Sequence, residues 1–261
     1  MSYIVRPKKS LGQHFLIDLN IAQAIADTLD NYKNTPILEV GPGMGVLTQY
    51  LLSKGHDLTV VELDHESIEY LQENFPELKG HILEEDFLKL DLSKLFSGNF
   101  CVIGNYPYNI SSQIFFKVLE YKDHIPCCSG MIQKEVAERI AASPGSKTYG
   151  ILSVFLQAFY HIEYLFTVGE KVFDPPPKVK SAVIKMTRNQ VRQLGCNEPL
   201  FKRIVKTAFN QRRKTMRNSL KSMVGQDCKI LAEPIFNERP ERLSVKQFID
   251  LTNLLESYII K

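Results

Sequence analysis

Long apolar runs are missing from these 261 residues. None approaches the roughly 18 uninterrupted apolar positions that a membrane-spanning helix needs. The opening MSYIVRPKKS holds no apolar stretch of the signal-peptide kind. Cysteine is sparse as well: five (Cys101, Cys127, Cys128, Cys196, Cys228), an odd number with no Cys-x-x-Cys spacing. That argues against a disulfide framework or a thiolate zinc site, so we expect reduced thiols, no metal and a cytoplasmic protein. Internal repeats and low-complexity tracts are absent too. So is the Gly-Lys-Ser/Thr that grips nucleotide phosphates.

Acidic residues are nearly missing from one stretch. Between Arg188 and Lys221 ten Lys/Arg face a single acid, Glu198, a local charge of +9 in a chain whose net charge is +3. The remainder is therefore mildly acidic, at −6. A basic block of this kind suits either a polyanion partner or a solvated helix face, and charge alone does not choose between them.

What is present is an alternation. Asp18 can cap a helix carrying Ile21, Ile25 and Leu29 on one face. PILEVGPG reads as a buried strand running into glycines, and GVLTQYLLSKG as a helix ended by Gly55. DLTVVELD, GHILEEDF, NFCVIGN and CSGMIQKE supply four more strands with helical spacing between them. This βαβα order predicts an α/β fold with a mostly parallel, doubly wound sheet. HIEYLFTVG and SAVIKMTR look like a closing antiparallel pair around the loop EKVFDPPPKVK. Past Arg188 helical spacing takes over through Phe201, Ile204, Val205, Ala208, Met216 and Leu220. We therefore expect a catalytic domain over 1–187 and a small helical domain over 188–261.

The turn LEVGPGMGVLT places Gly41, Gly43 and Gly45 between strand and helix, where backbone amides can lie against a ligand. The dinucleotide pattern wants its third glycine one residue later, at Val46. Glu39 precedes the turn, and Glu62 ends the next strand, where an acid usually accepts from ribose hydroxyls. Asp86 ends the third strand and can accept from an adenine amine. Three acceptor-bearing strand ends on one edge predict a nucleoside site. Glycines flanked by acids, with no phosphate lysine, resemble the S-adenosylmethionine turn of Rossmann-like methyltransferases.

GNYPYN follows the fourth strand on the same edge. It is either a plain turn or a platform for a flat polar ligand. As a platform it solves a chemical problem, because the lone pair of an adenine amine is delocalised into the ring. The Asn105 side-chain oxygen and the Tyr106 backbone carbonyl can accept the two amine hydrogens and favour pyramidal nitrogen. Pro107 disfavours helix at Tyr106 and so holds that carbonyl in extended backbone. Tyr108 offers a ring for a flipped base. No general base is required, since a sulfonium is already an activated electrophile.

Asn-x-Pro-Tyr after such a turn resembles the adenine amino-methyltransferases. Taken with KKSLGQHFLID, VELD, EEDFL, MIQKEVAERI, VFDPPPKVKSAV and FNQRRKTMRNSL, the chain resembles, from Lys8 to Leu220, the ribosomal RNA adenine dimethyltransferases. These modify two adjacent adenosines near the 3′ end of small-subunit ribosomal RNA. The resemblance implies methyl donation by S-adenosylmethionine, leaving S-adenosylhomocysteine, and a monomer acting on immature small ribosomal subunits. It implies donor contacts by His14, Leu16, Gly41, Gly43, Glu62, Asp86 and Asn105, with catalysis by Asn105, Tyr106, Pro107 and Tyr108. Phe173 would be the second aromatic closing on the base against Tyr108, the alternative being plain core, as packing of the arm is the alternative for His14 and Leu16. His14 stands where asparagine is more usual and Tyr106 where leucine is commoner. Lys206, Arg213, Arg217 and Lys221, read as one continuous basic helix, would meet the RNA backbone. The N-terminal arm around Lys8 and Lys9, or Lys178 and Lys180, would be the next place to seek that surface. Competing readings are an antibiotic-resistance methyltransferase acting on large-subunit RNA, a DNA adenine methyltransferase, and a ribosome-assembly or transcription factor that only docks.

Overall fold

A computed structural model describes residues 5–8, 11–225 and 228–260. The chain divides into two compact units, residues 1–137 with 161–188, and residues 138–160 with 189–261. The second unit thus begins at 189 in its larger segment and also takes in a stretch that the sequence pattern leaves in the catalytic domain.

Two short strands, β1 (Phe15–Leu16) and β8 (Phe173–Asp174), pair antiparallel in a small sheet of their own. The main sheet is built from β2 (Ile37–Val40), β3 (Leu58–Glu62), β4 (Ile82–Glu84), β5 (Cys101–Asn105), β6 (Cys127–Gln133), β7 (Tyr160–Val168) and β9 (Ser181–Arg188). These seven strands lie in the order β4-β3-β2-β5-β6-β9-β7. The pairs β2–β3, β2–β5, β3–β4 and β5–β6 are parallel, and β9 joins β6 antiparallel. β2 and the first four residues of β5 are wholly buried, which is why, Glu39 apart, they read as apolar runs rather than alternating ones. α1 (Leu19–Asp27) precedes β2, the crossovers carry α2 (Thr48–Ser53), α3 (His65–Asn74), α4 (Leu92–Leu95) and α5 (Ser111–Glu120), and α6 (Lys134–Ala141) follows β6. Asp18 does cap α1, accepting from the Asn20 and Ile21 amides at 2.9 and 3.2 Å. Strand order reverses at β2, so the ends of β2 and β5 form the crevice where open α/β sheets bind ligands.

The second unit contains α7 (Ile151–Gln157), α8 (Glu198–Asn210), α9 (Met216–Val224) and α10 (Val245–Leu255). Phe201, Ile204, Val205 and Ala208 of α8 are buried with Met216, Leu220, Met223 and Val224 of α9 and Phe248, Leu251 and Leu255 of α10. The basic run is therefore not one helix. Residues 211–214 form a turn, Lys214 N–H donating to Gln211 O at 2.8 Å, and Thr215 is extended (φ −70, ψ 159) ahead of Met216. A threonine is a helix-start residue, and breaking there lets both apolar faces reach one core.

Candidate active site

The ends of β2, β3, β4 and β5 open into one cleft lined by Gly41, Gly43, Glu62, Asp86, Asn105, Tyr106, Pro107 and Tyr108. The arm from Leu11 to Leu16 lines it too, bringing in His14 and Leu16. Gly43 holds φ +55, and a Cβ there would stand 2.9 Å from the Phe15 ring, so a side chain would strain the turn and push the arm away.

Glu62 is 7% exposed and gripped by backbone. Its Oε1 accepts from the Leu63 and Asp64 amides at 2.8 and 2.9 Å, and its Oε2 accepts from Gly43 at 3.1 Å. The pair of amides fills Oε1, leaving Oε2 with room for a ligand hydroxyl. Burial pushes the Glu62 carboxyl up while these three amides pull it back, and the net direction is upward. Glu39 is 1% exposed, its Oε2 accepts from Thr48 Oγ1 at 2.7 Å, and burial pushes its carboxyl up to about 8. The Glu39–Thr48 bond ties the end of β2 to the first turn of α2 across the glycine turn. Asp86 caps the turn that follows it, accepting from the Leu88 amide at 3.0 Å, and keeps further acceptor capacity. Leu63, 53% exposed, lines the same cleft. Acceptors, exposed amides and an open apolar flank fit a nucleoside carrying a ribose and an amine.

Asn105 Nδ2 donates to His14 O at 3.1 Å, which leaves Oδ1 as the acceptor for an incoming amine. Tyr108 is half-buried, its hydroxyl 2.5 Å from Ser181 Oγ. The ring beside it is His14, tilted, at 5.4 Å between centroids and 30° between planes. His14 Nδ1 donates to Pro175 O at 2.8 Å, since a carbonyl only accepts. Phe173 is not brought to the cleft. It is 3% exposed in the hydrophobic core with Leu16, its partner across the β1–β8 pair.

Tyr106 carries more than a carbonyl. Its side chain is 1% exposed, and its hydroxyl donates to Ser129 O at 2.7 Å. At Gly130 an added Cβ would lie 2.6 Å from the Tyr106 ring, so the absence of a side chain there makes room for the phenol. Lys117, 7% exposed, donates to Leu88 O and Leu90 O at 3.0 and 2.5 Å and holds the segment after Asp86. Neither Ser181 nor Lys117 carries a sequence signal, because each partner lies far away along the chain.

The basic residues separate by role. Arg203, Lys206, Arg213, Arg217 and Lys221 are exposed, and Arg212 is partly buried. Arg217 donates from Nε to Leu231 O at 2.9 Å, and Arg212 donates to Lys147 O. Lys9 lies outside the described residues, and Lys8 pairs with Asp64 and Glu66. Among the described residues no His/Cys/Asp/Glu group could hold a metal ion. No helix there is long and apolar enough to cross a membrane.

The model of the ribosomal RNA adenine dimethylase family matches residues 4–257. The chain belongs to that family. Ribosomal RNA small subunit methyltransferase A of Parabacteroides distasonis is 72% identical over 258 residues, covering 99% of this chain and 97% of the relative. The protein of that name from Flavobacterium johnsoniae is 59% identical over 254 residues, covering 97% of each. Two solved structures share the fold of this adenine dimethylase. A dimethyladenosine transferase from Plasmodium falciparum has a TM-score of 0.77 at 22% identity, covering 94% of this chain and 98% of its own. The 23S rRNA methyltransferase ErmE has a TM-score of 0.68 at 24% identity, covering 92% and 99%. This adenine dimethylase thus has a Rossmann-like methyltransferase fold with S-adenosylmethionine as its methyl donor.

Proposed function

We propose that the protein dimethylates the N6 amines of two adjacent adenosines near the 3′ end of small-subunit ribosomal RNA, acting on the immature subunit. The observation that carries this reading is Asn105, whose Nδ2 is occupied by His14 O so that Oδ1 is left to accept. Relatives at 72% and 59% identity that are named for the small subunit support the choice of RNA.

Held in the cleft, S-adenosylmethionine supplies an activated methyl group on its sulfonium. Glu62 Oε2 takes a ribose hydroxyl, Asp86 the adenine amine of the donor, and Gly41 and Gly43 allow close approach; His14 and Leu16 close the near side. Tyr108, fixed by Ser181, stacks the target adenine. Asn105 Oδ1 and the Tyr106 carbonyl accept the two amine hydrogens, which favours pyramidal nitrogen and frees its lone pair. The freed lone pair is thereby aimed at the donor's methyl group, whose transfer would break its bond to sulfur, leave S-adenosylhomocysteine and release the amine proton to water. Orientation therefore supplies most of the acceleration. The exposed cations Lys206, Arg213, Arg217 and Lys221 meet RNA phosphates, Arg217 with its Nε already donating to Leu231 O. Phe173, in the core here, serves as a second stacking face only if the β1–β8 pair opens.

Labelled methyl transfer to immature small subunits and, in parallel, to large-subunit RNA, followed by nucleoside mapping, tests the reading. N6,N6-dimethyladenosine at two adjacent positions is expected. Label confined to large-subunit RNA would hand the assignment to the antibiotic-resistance reading, and tight binding without label to a docking factor.

A further inference from the structure

The segment before β1 lines the donor cleft from Leu11 to Leu16, yet its backbone hydrogen bonds to the main sheet are few among the described residues. Side chains fasten it instead. Asp64, two residues beyond Glu62, has a side chain that is 0% exposed and takes three donors. Lys8 Nζ is one, Gln13 Nε2 at 3.2 Å the second and Ser67 Oγ at 2.9 Å the third. Lys8 Nζ also reaches Glu66 Oε1 at 3.1 Å, and the Lys8 amide donates to Gln13 Oε1 at 2.8 Å, so the two arm residues brace one another. The far end of the segment is held by the β1–β8 pair and by His14 O on Asn105.

We propose that Asp64 is a latch: by holding Lys8 and Gln13 it fastens the N-terminal arm across the methyl-donor cleft, and it is a positioning residue for donor binding. This rests on the placement of S-adenosylmethionine in that cleft. The connection to the ligand runs along two routes. One is the arm, which sets His14 and Leu16. The other is the Asp64 amide, which donates to the same Glu62 carboxylate that would take the ribose. A carboxylate removed from water is costly unless its lone pairs are filled, and here an ammonium, an amide and a hydroxyl fill them. Burial would push Asp64 up, but the hydrogen bonds from Lys8, Gln13 and Ser67 outweigh it and hold the carboxyl below its ordinary range. The latch therefore stays charged throughout the neutral range.

Lys8→Met and Asp64→Asn, singly and together, test this in the full chain by calorimetry with S-adenosylmethionine and by hydrogen exchange. Each single variant should weaken donor binding roughly three- to tenfold, and the double no more than either, because the two share one interaction. Exchange of amides 11–16 should speed up while that of β2 and β5 is unchanged. Lys8→Arg should restore affinity, and the methyl-transfer rate at saturating donor should stay within about twofold of the parent. Asp64 precedes α3 and Lys8 also reaches Glu66 in its first turn, so unchanged amide exchange across α3 separates loss of the latch from loosening of that helix. Parent-like affinity and parent-like arm exchange in Lys8→Met overturn the latch, as do additive losses in the double variant. Glu62→Ala reports separately on the cleft: if it binds the donor as the parent does, the placement of the donor has failed, whatever the arm does.

Discussion

Asn105 and Tyr106 are neighbours in the sequence, yet they act at different levels. Asn105→Ala removes an acceptor whose gain grows as the amine pyramidalises, so single-turnover methyl transfer at saturating donor should fall roughly a hundredfold, far more than donor affinity, which loses only the hold on His14 O. Tyr106 acts through packing. Tyr106→Phe deletes a hydroxyl buried against Ser129 O and should cost about 1–2 kcal/mol in urea unfolding. Leucine, the commoner residue here, would keep the backbone carbonyl but lose the phenol's bond to Ser129 O. Glu39 has a pH signature. Its carboxyl titrates near pH 8 in the folded chain against an ordinary 4.5. Between those values the native state keeps a proton that the unfolded chain has released, so stability falls as pH rises through the window and levels above it. Glu39→Gln should flatten that slope, removing a loss on the order of a few kcal/mol between about pH 5 and pH 8.5. Chemical denaturation at the two pH values checks it.

At the scale of elements, the glycine turn and the strand-end acids were legible, because parallel-sheet crevices place ligands at strand ends. The basic run was only half legible. Its composition announced exposed cations, but spacing could not reveal that residues 211–214 turn between α8 and α9. Nor could it show that Arg217 is partly committed to Leu231 O. Arg213→Ala with Lys221→Ala should therefore be the clean pair. Donor affinity should hold, while RNA binding weakens and its salt slope drops by about 0.7–0.9 for every phosphate no longer neutralised. Arg217→Ala should lower thermal stability as well, which separates its two roles. A salt titration that leaves affinity and slope at parent values would make these cations a solvated face.

Across the whole molecule, the five cysteines serve as a probe of integrity. Cys101, Cys127 and Cys128 are buried in β5 and β6, and burial pushes Cys127 up to about 11 and Cys128 to about 12, with Cys101 also raised. Thiolate, not thiol, reacts, so a native-state thiol titration should count only Cys196 and Cys228 promptly, with the other three following unfolding. The sequence by itself determined the parallel sheet, the glycine turn and acids at its strand ends, the place of Asn105–Tyr108 at the end of a buried strand, and the family. Each of these is written in local pattern: apolar runs, glycines and a proline at fixed offsets. Only the tertiary structure decided that Phe173 lies in the core while His14 stands beside Tyr108. It likewise decided that Ser181 holds that ring and that Asp64 holds the arm. Gln13 and Asp64 are 51 positions apart, Tyr108 and Ser181 are 73, and His14 and Pro175 are 161. Pairings over such separations depend on where the folded backbone carries each side chain, and no local periodicity encodes that.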